Sequence, residues 1–122
     1  MSRHPLVATA ALAIASLALA APALASSSAT ALTGSVGPGF TITLTQGGKK
    51  VTSLKAGSYT IAVSDKSNIH DFHLLGPGVN KVVTTVPFAG KKSVTVTLKK
   101  GTYTYQCDPH AAAGMKGSFK VK

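Results

Sequence analysis

The stretch YTYQCDPHAAAGM, residues 103–115, indicates both the fold and the chemistry of this chain. Tyr103, Tyr105 and Cys107 occupy alternate positions, so they share one face of a predicted strand. Pro109 cannot donate a hydrogen bond to a neighbouring strand, and pairing is therefore expected to end directly after Cys107. We predict a strand whose interior face ends at Cys107, followed by a loop that carries His110.

The same alternation recurs along the chain from Leu32 onward. Gln46-Gly-Gly-Lys is typical of a turn, and Gly and Pro separate most of the other apolar runs. The predicted strands cover Phe40 to Leu44, Tyr59 to Val63, Ile69 to Leu75, Val82 to Val86, Ser93 to Leu98, Thr102 to Cys107 and Lys116 to Val121. No segment shows a helical period. Short, evenly spaced strands in a chain of this length predict an all-β, two-sheet Greek-key β-sandwich.

Cys107, His110 and Met115 place a thiolate, an imidazole and a thioether within nine residues. This combination of soft and borderline ligands suits copper, and a site of the His2Cys type needs a second histidine. His70 and His73 are the two candidates upstream. A lone Cys in an exported chain could also be a free buried thiol or an intermolecular bridge, but neither reading accounts for His110 and Met115.

At CDPHAAAGM, residues 107–115, the chain resembles the cupredoxins, the small blue-copper proteins, and within them the plastocyanin-like group, whose signature is C-x-x-H-x-x-x-x-M. The resemblance extends over residues 32–122. It implies one copper ion that alternates between Cu(I) and Cu(II). It also implies that Cys107 and His110 are ligands, that His110 reaches the surface with its ring edge, and that Met115 is the weak axial ligand.

The choice between His70 and His73 follows from strand geometry, because residues three apart point to opposite faces. His70 shares a face with the apolar Phe72, so we predict that His70 is the metal ligand and that His73 is a surface or supporting residue. The cupredoxin pattern agrees, except that Asp71 stands where Asn is usual. That neighbour commonly connects the two ligand loops, and an ionised Asp can only accept hydrogen bonds.

Residues 1–25 are predicted to be a signal peptide, with an apolar stretch from Leu6 to Ala21 and a small-x-small cleavage pattern ending at Ala25. Residues 26–31 are then a flexible leader, and residues 32–122 are the copper-binding domain. We expect an exported protein, periplasmic or extracellular, with no stable membrane insertion once the signal is removed. Retention of the segment as an anchor is the alternative.

The charge of the chain beyond Ala25 is strongly positive, since twelve lysines oppose Asp65, Asp71 and Asp108 for a net charge of +9. Such a charge favours acidic partners. Nucleic acid is excluded as a partner, because this part of the chain has no Arg and no recognition helix. We expect a monomer that meets acidic redox proteins, with the loops at Gly37-Pro-Gly39 and Gly76-Pro-Gly78 forming a docking rim near the metal.

The function predicted from these observations is that of an exported type-1 copper protein carrying one electron between redox partners. It is not expected to be an enzyme, because copper enzymes of related fold need further His-rich sites and only three histidines follow Ala25. Two alternatives stay open. One is a copper-binding or delivery protein without electron transfer, and the other is a metal-free interaction module.

Overall fold

The computed structural model describes residues 1–3, 5, 9–20 and 28–122. The first three of these ranges form neither helix nor strand. The predicted cleavage position after Ala25 lies outside the described residues. No helix in the described part of the chain has the length and apolar character needed to cross a membrane.

The domain is a sandwich of two five-stranded sheets. The strands are β1 (Thr30–Val36), β2 (Ile42–Gln46), β3 (Lys49–Lys50), β4 (Ser53–Leu54), β5 (Gly57–Asp65), β6 (Phe72–Gly76), β7 (Val79–Thr84), β8 (Gly90–Leu98), β9 (Gly101–Gln106) and β10 (Lys116–Val121). One sheet has the order β3-β2-β1-β5-β8, and the other has the order β4-β10-β9-β6-β7. The β1–β5 and β4–β10 pairs are parallel, and the remaining pairs are antiparallel. The predicted Greek-key sandwich is confirmed.

The core forms between the sheets from the alternating residues that the sequence pattern identified. Tyr59, Ile61 and Val63 of β5 are all buried, and their intervening neighbours are not. On the opposite sheet, Tyr103 and Tyr105 of β9 are buried as well. Because the chain returns repeatedly from one sheet to the other, the ends of β1, β5 and β9 and the starts of β6 and β10 meet at one end of the sandwich. We call this the copper end, after the copper site that the sequence predicts there.

Some predicted strand limits were wrong. β1 was not among the predicted strands; it begins at Thr30, where parallel pairing with Tyr59 needs only backbone groups. Phe40 lies outside β2 and is 66% exposed. Ile69 is exposed too, and β6 begins only at Phe72. In each case an apolar residue next to a strand continues the alternation in the sequence without belonging to the sheet.

The two Gly-Pro-Gly loops lie at opposite ends of the sandwich, and not together as predicted. Gly37 is next to His70, whereas Gly76 packs on the ring of Tyr103. The hydroxyl of Tyr103 also donates to the carbonyl of Pro77, at 2.9 Å. Only the first loop can therefore contribute to a rim around the metal site.

Candidate metal centre

Cys107 directly follows β9 and is completely buried. It lies on the interior face shared by Tyr103 and Tyr105, as the alternation predicted. Burial raises the pKa of the Cys107 thiol, and hydrogen bonds from the backbone N–H groups of Asp71 and His110 offset part of that rise. A thiolate at this position therefore needs a cation to hold it deprotonated.

A short 3-10 helix, Asp108–Ala113, follows Cys107 where a loop was predicted. Its first turn closes with a hydrogen bond from the His110 backbone N–H to the Cys107 carbonyl, at 3.1 Å. Gly114 ends it in the left-handed conformation, with φ of 95°, which glycine adopts without steric cost. The chain then turns back so quickly that residues 107, 110 and 115 become neighbours.

Two backbone hydrogen bonds fix Met115 beside the other residues of this turn. The N–H of Cys107 donates to the carbonyl of Met115 at 3.0 Å, and the N–H of Met115 donates to the carbonyl of His110 at 3.2 Å. The Met115 side chain is 3% exposed and belongs to the same core cluster as Cys107. The structure thus places Met115 beside Cys107 and His110, and its role as the axial ligand stays a prediction.

His70 occupies the loop just before β6 and is completely buried. The neighbouring Gly37 has φ of +71°, and a Cβ at that residue would lie 3.0 Å from Cδ2 of His70. Gly37 thus meets two requirements, a left-handed backbone and a close approach to the imidazole. His70 is the histidine that the strand argument chose, and the structure places it with Cys107 and His110, although His70 lies in a loop and not in a strand.

Three potential ligand atoms converge at the copper end. Nδ1 of His70 and Nδ1 of His110 are 3.1 Å apart, and they lie 3.6 Å and 3.4 Å from Sγ of Cys107. A point equidistant from all three atoms is about 2.0 Å from each, which is a metal–nitrogen bond length in proteins. One thiolate and two imidazoles in this arrangement fit copper, and His70, Cys107 and His110 form a group able to hold a metal ion.

His73 points away from this group. Its Nδ1 lies 2.9 Å from a carboxylate oxygen of Asp108, and its Nε2 lies 2.6 Å from Oδ1 of Asn80. Burial alone would lower the pKa of His73, but the Asn80 and Asp108 acceptors outweigh it and raise the pKa above its ordinary value. These contacts join His73 to Asp108, the residue that follows Cys107, and are those of a supporting residue and not of a ligand in the cluster.

Asp71 connects the two segments that carry the histidines and the cysteine. Its Oδ1 accepts a hydrogen bond from the backbone N–H of Asp108, at 2.6 Å. Burial, followed by the neighbouring Asp108 carboxylate, raises the pKa of Asp71 to about 6. The Asp therefore performs the bridging role expected of the usual Asn, but it does so with a group that can gain or lose a proton near neutral pH.

Phe40 is the site residue that the sequence reasoning missed. Its ring centre lies 4.8 Å from that of His110 and 5.5 Å from that of His70, both edge to face. The alternation with Ile42 and Leu44 suggested a core position. Gly37-Pro-Gly39 directly before it was the contrary signal, since such a turn leaves the next residue outside the strand.

The family model for copper binding proteins of the plastocyanin/azurin family matches residues 35–122. This chain belongs to that family. Plastocyanin from Daucus carota is 61% identical over 31 residues, which cover 25% of this chain and 32% of that protein. Plastocyanin A/B from Petroselinum crispum is 48% identical over 33 residues, covering 27% and 34%. The aligned segments thus span about a third of the length of these curated relatives.

The whole domain is also similar to a solved structure of reduced rusticyanin. The TM-score is 0.54 with 25% sequence identity, and the match covers 80% of this chain and 81% of that one. Family membership and the cluster of His70, Cys107 and His110 together identify copper as the cofactor of this protein. The cupredoxin resemblance seen in the sequence is confirmed.

Proposed function

We propose that this protein carries single electrons on one copper ion held by His70, Cys107, His110 and Met115. The observation that supports this most strongly is the convergence of Nδ1 of His70, Nδ1 of His110 and Sγ of Cys107 within 3.6 Å of one another. When bound in such a site, copper supplies a redox couple between Cu(I) and Cu(II). The role of the chain is to hold its ligands in nearly the same positions in both states.

The backbone around the site is suited to that role. Hydrogen bonds join Cys107 to His110 and to Met115, and Asp71 joins the His70 loop to the start of the 3-10 helix. These contacts are independent of the metal, so the ligands are held in place before copper enters. Little rearrangement is then needed when the charge of the site changes, which favours fast electron transfer.

His110 offers the route for electrons to reach a partner. His70 and Cys107 are fully buried, whereas His110 is partly exposed next to the exposed ring of Phe40. An incoming redox protein can therefore approach the imidazole of His110 across an apolar contact. We propose an acidic redox protein as the partner, because the exposed lysines at this end, Lys66, Lys91, Lys92 and Lys116, outnumber its one exposed carboxylate, that of Asp108.

A second metal site for catalysis has little support. Asp71, His73 and Asp108 form another group of potential ligands. Both ring nitrogens of His73, however, face hydrogen-bond acceptors, the Asp108 carboxylate and Oδ1 of Asn80, so neither offers a lone pair to a metal. We accordingly propose an electron carrier and not an enzyme. We further propose that the protein is exported to a periplasmic or extracellular space and acts as a monomer.

The visible absorption spectrum tests the proposal. Adding Cu(II) to the folded protein should produce an intense blue colour, because a short bond between copper and the Cys107 thiolate gives a strong charge-transfer band. Cys107→Ser should abolish the colour while leaving the fold intact by circular dichroism. A colourless copper complex of the unaltered protein would contradict a type-1 site. Loss of the metal on each reduction would instead indicate copper delivery.

A further inference from the structure

The charges of the domain are divided unevenly between its two ends. The end opposite the copper end carries Lys55, Lys99, Lys100, Lys120 and Lys122, all exposed, and we call this group the lysine pole. Their placement follows from strand register. Gly57 at the start of β5 pairs with Leu98, Val121 pairs with both Gly101 and Leu54, and the lysines flank these paired residues.

All three acidic residues of residues 28–122 lie at the other end. Asp65 ends β5, Asp71 precedes β6, and Asp108 follows Cys107. Their three negative charges nearly balance the four positive charges of Lys66, Lys91, Lys92 and Lys116. The lysine pole, in contrast, has no acidic side chain within the described part of the chain. No lysine forms a salt bridge among the described residues. The positive field of the protein is therefore concentrated at the lysine pole.

The distance between the ends prevents this field from acting at the metal site. β5 has nine residues and connects the two ends, which corresponds to about 27 Å along the strand. The Debye length at physiological ionic strength is about 8 Å. A partner that docks at His110 is thus more than three Debye lengths from the lysine pole. Steering a redox partner to the metal site therefore does not explain most of the net charge of the domain.

We propose that the lysine pole binds the surface of an anionic lipid bilayer and holds the copper end away from it. Charge complementarity supports an anionic surface as the occupant, because the five exposed lysines have no acidic side chain among them. The chain also enters the domain at this end, since β1 begins at Thr30 on the same half of the sandwich as the lysine pole. Before the predicted cleavage, the apolar stretch Leu6 to Ala21 therefore keeps the lysine pole on the side of the bilayer across which the protein is exported.

The lysine pole can bind a bilayer without a defined pocket, because lysines act as compact point charges on flexible stems. Basic residues near an anionic membrane surface contribute diffuse attraction of about 1 kcal/mol each, or about fivefold in partitioning. With the lysine pole on the bilayer, Phe40 and His110 face the aqueous side, where a redox protein can reach them.

Vesicle binding by two charge-matched variants tests the proposal. One is K55Q/K99Q/K100Q/K120Q at the lysine pole, and the other is K66Q/K91Q/K92Q/K116Q at the copper end. Both are made in the full chain, so the N-terminal segment contributes equally. Vesicles of 30% phosphatidylglycerol in phosphatidylcholine should bind the first variant more than a hundredfold more weakly than the unaltered protein, following the same fivefold per lysine. The second variant should differ by less than threefold.

Equal losses in the two variants would mean that only net charge matters and would overturn the proposal. So would undiminished binding of the first variant, or tighter binding to soluble poly-glutamate than to the vesicles, which would assign the lysine pole to an acidic macromolecule. Acylation of amines on vesicle-bound protein gives a second readout. Lys99, Lys100 and Lys120 should be protected while Lys91 and Lys116 react, and the reverse pattern would contradict the orientation.

Discussion

Replacing Asp71 by Asn should remove a pH-dependent loss of folding stability from the copper-free protein. Asp71 is 3% exposed, and burial followed by the adjacent Asp108 carboxylate raises its pKa to about 6 from the ordinary 3.8. A carboxyl whose pKa is raised by folding stabilises the native state below pH 3.8. That stabilisation is lost as the pH increases through 6.

The magnitude follows from the difference between the two pKa values. Each unit corresponds to 1.36 kcal/mol, so the ionisation of Asp71 costs about 3 kcal/mol of folding free energy at neutral pH relative to acidic pH. Asn at this position can still accept the hydrogen bond from the Asp108 backbone N–H through its side-chain oxygen. The variant should therefore keep the connection between the two ligand segments without the cost of a buried charge.

Urea unfolding of both copper-free proteins between pH 4 and pH 7.5 measures this effect. The free energy of unfolding of D71N should exceed that of the unaltered protein by a margin that increases with pH and reaches about 3 kcal/mol. Using the difference between the two proteins removes the contributions of titrating groups that do not interact with Asp71. A margin that stays constant or shrinks as the pH increases would refute the assignment of a raised pKa to Asp71.

Three further predictions concern the copper-loaded protein. His70→Ala should weaken or reshape the visible band, whereas His73→Ala should leave it almost unchanged, because only His70 faces Cys107; visible spectra of the two variants test this, and the opposite result would exchange their roles. Met115→Leu should keep the blue colour and raise the reduction potential, since axial donation to the oxidised metal is lost; cyclic voltammetry measures the potential, and complete loss of copper would leave Met115 with a purely structural role. The rate of electron exchange with an acidic redox protein, measured by stopped-flow, should decrease as salt is added and should also decrease in K66Q/K91Q/K92Q/K116Q. An unchanged rate in this variant would exclude the copper-end lysines as the docking charges.

Sequence was sufficient to predict the part of the site that is local in the chain. Cys107, His110 and Met115 are brought together by a single 3-10 helix and a glycine turn, and the three backbone hydrogen bonds that join them to one another all lie within that segment. The spacing of these three residues in the sequence is therefore enough to predict that they lie close together. The alternation of Tyr59, Ile61 and Val63 was equally reliable, because both sheets bury one face of each central strand.

The errors about the second Gly-Pro-Gly turn and Phe40 share a physical cause. The position of each of these residues in the fold depends on contacts between segments that are distant in the sequence. The second Gly-Pro-Gly turn follows β6, and only the register of β6 on β9, with Leu75 opposite Thr104, places it far from copper. The contact of Phe40 with His110 likewise joins segments that are seventy residues apart in the chain. Local alternation contains no information about such contacts.

The length of the sandwich determines how far the charges at one end act at the other. A net charge of +9 on a compact sphere would attract acidic partners to every face, including unproductive ones. Here the strands separate the lysine pole from His110 by more than three Debye lengths, while Asp65, Asp71 and Asp108 nearly neutralise the copper end. Each end can then bind a different kind of surface under the same ionic conditions. For electron exchange this means that a redox partner is selected by a few lysines and an apolar contact at Phe40, and not by the total charge of the protein.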